Sequence, residues 1–307
     1  MHPKSSPEKE IFDVAVIGGG PAGLTATMWL GRYLREVVLI DAGDPRNWQT
    51  KGVHGVLGHQ SIRPAKLRRR GRRQCREHGA SLVDGHVEAI HRLEPDEFEI
   101  CIEKGPRLRA RRVLITTGVK DRWPDIPNLE RCYGTSVHTC PHCDGFESRG
   151  TRTVVIGWEA KAAEVALALL TWTRQVIICT HGHAPNFGEE LGEKIRAREI
   201  PVIDAPITVL EERHRHLQGI DFEGGGVLEC EHLFIAMGQV AVDDLGTQLE
   251  CERDEIGRIL IDDTHHTSSP HVYAAGDITP GLQLVTLAAA EGLNAARAIH
   301  HSLKETR

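Results

Sequence analysis

One pattern occurs twice in this chain: a short apolar strand, a turn that contains glycine, and a helix rich in alanine. The first copy, VAVIGGGPAGLTATMWL, starts at Val14, and the second, VVIGWEAKAAEVALALL, starts at Val154. Two apolar segments follow each copy: EVVLIDAG and ARRVLITTG after the first, QVIICTHG and ECEHLFIAMG after the second. Strands that alternate with helices indicate a parallel sheet covered by helices. The repetition therefore predicts an α/β fold built from two similar units.

The end of the chain has no counterpart in the second unit. It contains a strand in SSPHVYAAGDI and a helix in LVTLAAAEGLNAARAIHHSL. Because the second unit is already complete without them, we assign these elements to the first unit, with the second inserted into it. The predicted first domain comprises residues 1–119 and 242–307, and the inserted domain comprises residues 120–241.

A glycine-rich turn ends the first strand. Gly18, Gly20 and Gly23 have the G-x-G-x-x-G spacing. The first glycine allows a tight bend, the second lets the backbone approach a pyrophosphate, and the third lets the helix pack on the strand. Asp41 ends the next strand, where a carboxylate accepts hydrogen bonds from a ribose. The first unit is therefore predicted to be a Rossmann-like dinucleotide-binding domain.

Cys140 and Cys143 lie close together in the sequence HTCPHCDGFE, unlike the other six of the eight cysteines. Two cysteines at positions i and i+3 can share one helical turn with their sulfurs within disulfide reach. If Cys140 begins a helix, the helix dipole favours its thiolate; His142 can also stabilise a thiolate, and Asp144 can move protons. The pattern predicts a redox-active pair with four candidate catalytic residues: Cys140, His142, Cys143 and Asp144.

The same cysteine spacing occurs in zinc sites, which require a second pair of ligands. His181 with His183, and His265 with His266, are the nearest approaches to such a pair, and neither has the usual spacing. Two unlinked thiols are a third interpretation. We favour the redox pair and predict no metal site.

The segments GGGPAG, ITTG and TSSPHVYAAGD together resemble the FAD-binding motifs of flavoproteins with two dinucleotide-binding domains. The order CPHCDG then TVVIG resembles that of low-molecular-weight thioredoxin reductases. The resemblance implies two Rossmann-like domains of three layers each (ββα), FAD on the first domain, and a homodimer. It also implies that Cys143 lies nearer the flavin, that Cys140 reacts with the external partner, and that Asp144 is the acid. The implied FAD contacts are Gly18, Gly20, Gly23, Asp41, Gly118, Gly276, Asp277, Leu284 and Val285.

The second turn departs from the family pattern. NADPH-dependent members carry G-x-G-x-x-A there, whereas this chain has Gly157, Trp158 and Glu159, with a carboxylate in place of the second glycine. The segment after the next strand, CTHGHAPNFGEEL, has no arginine for a 2′-phosphate. We therefore expect a degenerate second nucleotide site that does not use NADPH. A ferredoxin-like protein, a second FAD in this site, or oxygen would then exchange electrons with the flavin. Trp158 either stacks on a planar ligand or packs in the core.

These features predict an FAD-dependent disulfide/dithiol oxidoreductase whose partner is a disulfide protein or a small thiol. Three alternatives stay open: an NADPH-dependent thioredoxin reductase, a small-molecule dithiol oxidase, and a flavin-binding redox sensor without turnover. The dithiol oxidase is suggested by DAGDPRNW and HGVLGHQS, which resemble a branch of the family that acts on small sulfur metabolites.

Charge and hydropathy limit the classes of binding partner and the cellular location that we expect for the protein. A net charge of -6 disfavours nucleic acid as a partner. The sequence has no apolar run of the roughly 20 residues that span a bilayer, and it starts with a polar segment, so we expect a cytoplasmic protein. Lys66–Arg76 is a basic stretch, predicted to be helical, that is either solvated or docks an acidic electron-transfer protein or an anionic membrane surface.

Overall fold

The computed structural model describes residues 11–242 and 244–305. Its strands are β1 Ile11–Ile17, β2 Val37–Asp41, β3 Ser81–Asp84, β4 Val87–Glu94, β5 Glu97–Ile102, β6 Arg107–Ile115, β7 Val119–Asp121, β8 Val137–His138, β9 Thr153–Ile156, β10 Val176–Cys179, β11 Val202–Ile203, β12 Ile207–Arg213, β13 His216–Phe222, β14 Val227–Glu229, β15 His232–Ile235, β16 Gln239–Ala241 and β17 Val272–Ala274. Its helices are α1 Pro21–Arg32, α2 Pro64–Glu77, α3 Leu129–Cys132, α4 Pro141–Asp144, α5 Ala160–Leu169, α6 Glu189–Ala197, α7 Leu245–Gln248 and α8 Val285–Glu305. Within these residues, no helix is long and apolar enough to cross a membrane.

The chain forms two compact units. The first contains the described residues up to Trp48, Ala65–Lys120, and those from Val240 onward; the second contains Gln49–Pro64 and Asp121–Gln239. Residues 49–64 thus belong to the second unit, whereas the predicted first domain included them. Within the second unit, the Lys51 N–H donates to the Gly134 carbonyl at 3.4 Å. The segment has neither strand nor helix periodicity, so the sequence held no signal of which unit it joins.

The first unit is organised by a parallel sheet. Strands β3, β2, β1 and β6 lie side by side and are parallel, and β17 pairs in parallel with the last part of β6. The first part of β6 pairs antiparallel with β5, which pairs with β4. The strand predicted to reach Gly118 ends earlier, at Ile115, because β6 gives way to the turn that contains Gly118.

The two faces of this sheet bury different layers. Val14 and Val16 of β1 point to helices α1 and α8, where Leu30 and Ile299 complete a buried cluster. Ala15 and Ile17, one residue out of phase, pack with β4 and β5, for example against Phe98 and Ile100. This period-two alternation, with both faces apolar, is what a sheet covered on both sides requires. It produces a three-layer ββα unit.

The second unit repeats this arrangement. Strands β11, β10, β9, β15 and β8 form a parallel sheet, and β12, β13 and β14 form an antiparallel one. Val155 faces helices α5 and α6, whereas Val154 and Ile156 face the antiparallel sheet. The predicted α/β fold with two Rossmann-like sheets is confirmed.

Gly292 of α8 provides a test of the helix packing in the first unit. A Cβ on Gly292 would overlap the carbonyl oxygen of Ala22 in α1. We therefore expect Gly292→Ala to destabilise the protein by about 1–3 kcal/mol through overpacking. Gly192→Ala is the matched control, since its Cβ would lie 3.5 Å from an Arg196 side-chain nitrogen; it should stabilise α6 by about 0.5–1 kcal/mol. Urea unfolding of both variants makes the measurement, and equal effects would contradict the packing.

Candidate functional site

The cysteine pair lies at the start of a short helix. Cys140 and Cys143 form a disulfide with a Cα–Cα distance of 5.3 Å. Cys140 is the N-cap of α4, and its sulfur accepts a hydrogen bond of 3.1 Å from the Cys143 N–H. Pro141 occupies the first helical position, where the missing N–H costs no hydrogen bond. After reduction, the same N–H would stabilise a thiolate on Cys140.

Asp144 lies between two histidines. Its Oδ1 is 3.5 Å from Nδ1 of His54, and its Oδ2 is 3.5 Å from Nδ1 of His138. His54 Nδ1 also lies 3.7 Å from Oε1 of Glu147, and His138 Nε2 lies 3.3 Å from Nδ1 of His232. The structure therefore places four side chains in one row with Asp144, all of them in the second unit.

Sequence reasoning found Asp144 but missed its neighbours. His54 is ninety residues away in the chain, in the segment assigned to the other domain, and His232 begins β15. His138 ends β8, two residues before Cys140, and this proximity was the one available signal.

The buried end of this row is neutral at ordinary pH. Burial and, to a smaller extent, the neighbouring His138 lower the pKa of His232 to about 4, whereas Asp144 opposes the shift. The two imidazoles stack with their centroids 5.5 Å apart. A neutral His232 can donate from Nδ1 to Nε2 of His138, which leaves the Nδ1–H of His138 to donate to Asp144.

A cavity of about 580 Å³ adjoins the disulfide. Cys143 and the predicted residue His142 line it on one side, and His54 and Glu147 line another. The aromatic ring of Phe146, 60% exposed, forms an apolar part of the wall. Gly55, Gln60 and Ser61 complete the lining. The site thus combines a disulfide, titratable groups and an apolar surface, which is the usual composition of a small-molecule site.

The first glycine turn has the geometry predicted for a dinucleotide. Gly18 has φ +108°, and a Cβ there would lie 2.5 Å from the Thr116 carbonyl oxygen. A Cβ on Gly23 would overlap the Gly18 carbonyl, whereas one on Gly20 would meet nothing within 4 Å. Gly20 is the N-cap of α1 and supplies no side-chain hydrogen bond. The N–H groups at the start of α1 are therefore available to an anion.

Asp41 is engaged by the basic helix α2. Its Oδ2 accepts hydrogen bonds from Arg68 and, at 2.8 Å, from Arg72, and its Oδ1 accepts one of 3.2 Å from the Gly43 N–H. Arg72 also contacts Asp84 at 2.5 Å. Two arginines of the basic stretch thus face the predicted ribose position, and five of its basic residues are exposed: Lys66, Arg69, Arg70, Arg73 and Arg76.

The late Gly-Asp motif is held by side chains that sequence reasoning did not identify. The Gly276 N–H donates to the Glu291 carboxylate at 2.7 Å. Arg46 donates to Asp277 at 3.0 Å and to Gln283 at 2.8 Å. Leu284 precedes α8 and Val285 begins it, and Gly118, with φ +77°, lies in the turn after β6. The open start of α1 supplies the backbone donors that a dinucleotide diphosphate needs, so the first turn fits FAD.

The second turn has a different surface. Glu159 is the exposed N-cap of α5, and its side chain makes no capping hydrogen bond. The Trp158 ring stacks on His183 with centroids 3.8 Å apart. The Asn186 N–H donates to the Trp158 carbonyl at 2.6 Å, which ties the turn to the loop after β10. Trp158 therefore packs on a neighbouring loop, and it does not lie in the core.

The family model for pyridine nucleotide-disulphide oxidoreductases matches residues 12–292. The chain belongs to this family. It is 26% identical to thioredoxin reductase sirT of Leptosphaeria maculans, over 94% of both chains. The structure is similar to thioredoxin reductase from Streptococcus pyogenes (25% identity, TM-score 0.91, covering 97% and 100% of the two chains). It also matches the atypical thioredoxin reductase TRi from Desulfovibrio vulgaris Hildenborough (34% identity, TM-score 0.54, 96% and 98%).

These similarities confirm the predicted enzyme class. The chain is a flavin disulfide oxidoreductase of the thioredoxin reductase type, and its C-x-x-C pair forms a disulfide. FAD is the cofactor of the family. Among the described residues, one group has metal-ligand geometry, His54 with Asp144 and Glu147; the histidine pairs weighed as zinc ligands do not join it.

His232 should make stability depend on pH. Its pKa is lowered on folding from an unfolded value of about 6.5. Its neutral form therefore contributes stability that is complete above that unfolded value and is lost as the pH falls towards 4. We expect the urea midpoint of the wild type to fall more steeply in this range than that of His232→Gln. His91→Gln, which removes an exposed histidine, is the control and should keep the wild-type slope.

Proposed function

We propose that this flavoprotein passes electrons between FAD on its first unit and the Cys140–Cys143 pair, without NADPH as the reductant. The observation that carries the proposal is Glu159 at the start of α5. In a Rossmann-like unit the pyrophosphate binds at this helix start. A carboxylate beside a diphosphate repels it, by up to several kcal/mol where water is excluded.

The loop after β10 supports the same proposal. The 2′-phosphate of NADPH is usually bound by arginines, whose planar fork matches phosphate oxygens. Residues 180–188 contain no arginine, and the two acidic residues Glu189 and Glu190 follow at the start of α6. The Trp158 ring of the turn stacks on His183 of this loop. A ferredoxin-like protein, a second FAD or oxygen then takes the place of NADPH.

The protein's own residues account for the thiol chemistry. Bound FAD supplies two-electron transfer to or from the cysteine pair. Cys140, whose sulfur accepts the Cys143 N–H, is the thiol that exchanges with the external partner, and Cys143 exchanges electrons with the flavin. Asp144 holds or releases the proton of the leaving thiol. The N–H groups at the start of α1 would hold the cofactor diphosphate, and Arg46 holds Asp277 in place.

Anaerobic mixing with NADPH tests the electron donor. We expect one flavin per chain if the second site is empty or two if it holds FAD, and in either case no rapid bleaching by NADPH. Glu159→Gly should raise the rate of bleaching at least about tenfold, because it removes the repulsion at the diphosphate. Glu164→Gln, on the exposed face of α5, is the control and should change nothing. Rapid bleaching of the wild type would overturn the proposal.

Removal of one thiol tests the redox pair. Cys143→Ser should keep its flavin and lose electron exchange with disulfides by at least about 100-fold, since the pair can no longer cycle. The flavin absorbance and the turnover with dithiothreitol and a disulfide are the two measurements. Loss of flavin in this variant would show that the pair is needed for binding the cofactor and would remove the support for its redox role.

A second candidate function is the oxidation of a small-molecule dithiol. The observation that favours it is the cavity beside Cys143, whose volume of about 580 Å³ suits a small molecule. The exposed Phe146 ring supplies an apolar surface, and His142 and Glu147 supply polar contacts. Comparison of turnover with small dithiols and with a protein dithiol such as thioredoxin separates the two substrate classes. If oxygen consumption accompanies oxidation of the small dithiol, oxygen is the acceptor.

A further inference from the structure

We propose that His54 exchanges the proton of Asp144 with solvent during thiol–disulfide exchange, while the His138–His232 pair holds the other oxygen of Asp144. His54 is then a positioning and proton-transfer residue that acts through Asp144. The inference rests on the proposed redox function of Cys140 and Cys143. It concerns the path of protons and is independent of the identity of the electron donor.

The two imidazoles meet different oxygens of one carboxylate. His138 reaches Oδ2 from the buried side and is 6% exposed, and His54 reaches Oδ1 from the cavity side and is 30% exposed. One oxygen therefore faces a buried imidazole, and the other faces a histidine that contacts solvent. A carboxylate with this asymmetry can keep its orientation while its proton is exchanged at Oδ1.

The hydrogen bond between the buried His138 and His232 has one donor and one acceptor. Because His232 is neutral, one of the two nitrogens that meet at 3.3 Å must donate and the other accept. With His232 donating, the Nδ1–H of His138 points to Asp144. His232 is thereby an anchor and does not carry protons to solvent. The exposed fraction of His54 makes it the outlet.

The proton balance of exchange requires such an outlet. A dithiol substrate loses two electrons and two protons, and the disulfide of the protein gains both. In the first step a substrate thiolate bonds to Cys140, the S–S bond breaks, and the leaving Cys143 thiolate takes a proton from Asp144. In the second step the remaining substrate thiol loses its proton and displaces Cys140, whose thiolate is protonated in turn. Asp144 must therefore regain a proton, and His54, which lines the cavity beside Cys143, can pass one to it from solvent.

The titratable side chains around Asp144 determine which groups contribute to the pH dependence of the exchange rate. Among the described residues, the titratable side chains in contact with Asp144 are His54 and His138. Glu147 faces His54, and His232 faces His138, with His216 of β13 acting on His232 at longer range. Two imidazoles, those of His54 and His142, line the cavity beside Cys143, and of these two His54 lies against Asp144.

Reduction of the oxidised holoprotein by dithiothreitol tests the proposal without any nicotinamide or protein donor. Acid quenching, alkylation and peptide mass spectrometry measure the opening of the Cys140–Cys143 disulfide under anaerobic conditions. The rate is divided by the concentration of dithiothreitol thiolate, which removes the titration of the reagent. For the wild type, this corrected rate should fall as the pH rises, because the protonated imidazole that donates is lost.

His54→Gln should lower the corrected rate at acid pH about tenfold and remove its pH dependence, a modest share of what general acid catalysis contributes. His59→Gln is the matched control, because the structure places His59 in the same segment through its backbone bond to Val56. Added imidazole should restore the rate of His54→Ala, since the cavity admits a small molecule. Thermal unfolding of each variant shows whether the fold is kept.

Three results would overturn the proposal. A wild-type pH profile in folded His54→Gln would show that His54 carries no proton. Full recovery in His54→Gln/Glu147→Gln would show that His54 merely neutralises two carboxylates. Stoichiometric zinc in the dialysed oxidised protein would make His54, Asp144 and Glu147 metal ligands. If Cys143→Ser also exchanged with disulfides as fast as the wild type, the proposed redox function itself would fail, which is a separate outcome.

Discussion

In both units a strand passes into a helix through a turn of three residues, and close packing leaves no room for a side chain on the first of them. Gly18 and Gly157 occupy this position in the two units, where a Cβ would lie 2.5 Å from the Thr116 carbonyl and 2.7 Å from the Ala236 carbonyl respectively. Both carbonyls follow the strand that pairs next to the turn. The position of both helices, and so of both sites, depends on this close approach.

The two glycine turns differ at a position where packing does not require a small residue. The second glycine of the first turn, Gly20, borders open space, and its equivalent in the second turn is Glu159. A small residue is kept at the third position, as Gly23 or Ala162, because that position packs on the turn. The two turns thus share the small residues that the backbone needs, and they differ at the residue that only a ligand would require to be small. This difference supports the proposal that NADPH is not the reductant.

The sequence was informative wherever the physical cause was local. Glycine spacing, apolar alternation and the C-x-x-C pair lie within a few residues of one another, so the two sheets, the start of α4 and the disulfide could be predicted. The partners of the predicted residues could not. Arg46 on Asp277, Arg68 and Arg72 on Asp41, and His54 on Asp144 are contacts across many residues of chain. The segment 49–64 lacked periodicity, and its place in the second unit depends on backbone contacts such as that between Lys51 and Gly134.

The acidic residues of the cofactor unit and the acidic residue beside the disulfide have different kinds of basic partner. Arginine holds Asp41 and Asp277 in the first unit, and its guanidinium stays charged at any physiological pH. Such pairs keep their geometry and charge, which suits the binding of a cofactor that should not leave. Histidine holds Asp144 in the second unit, and imidazole gains and loses protons close to neutral pH. A partner of this second kind suits the proton transfer that we propose for Asp144, beside a disulfide that takes up two protons with two electrons.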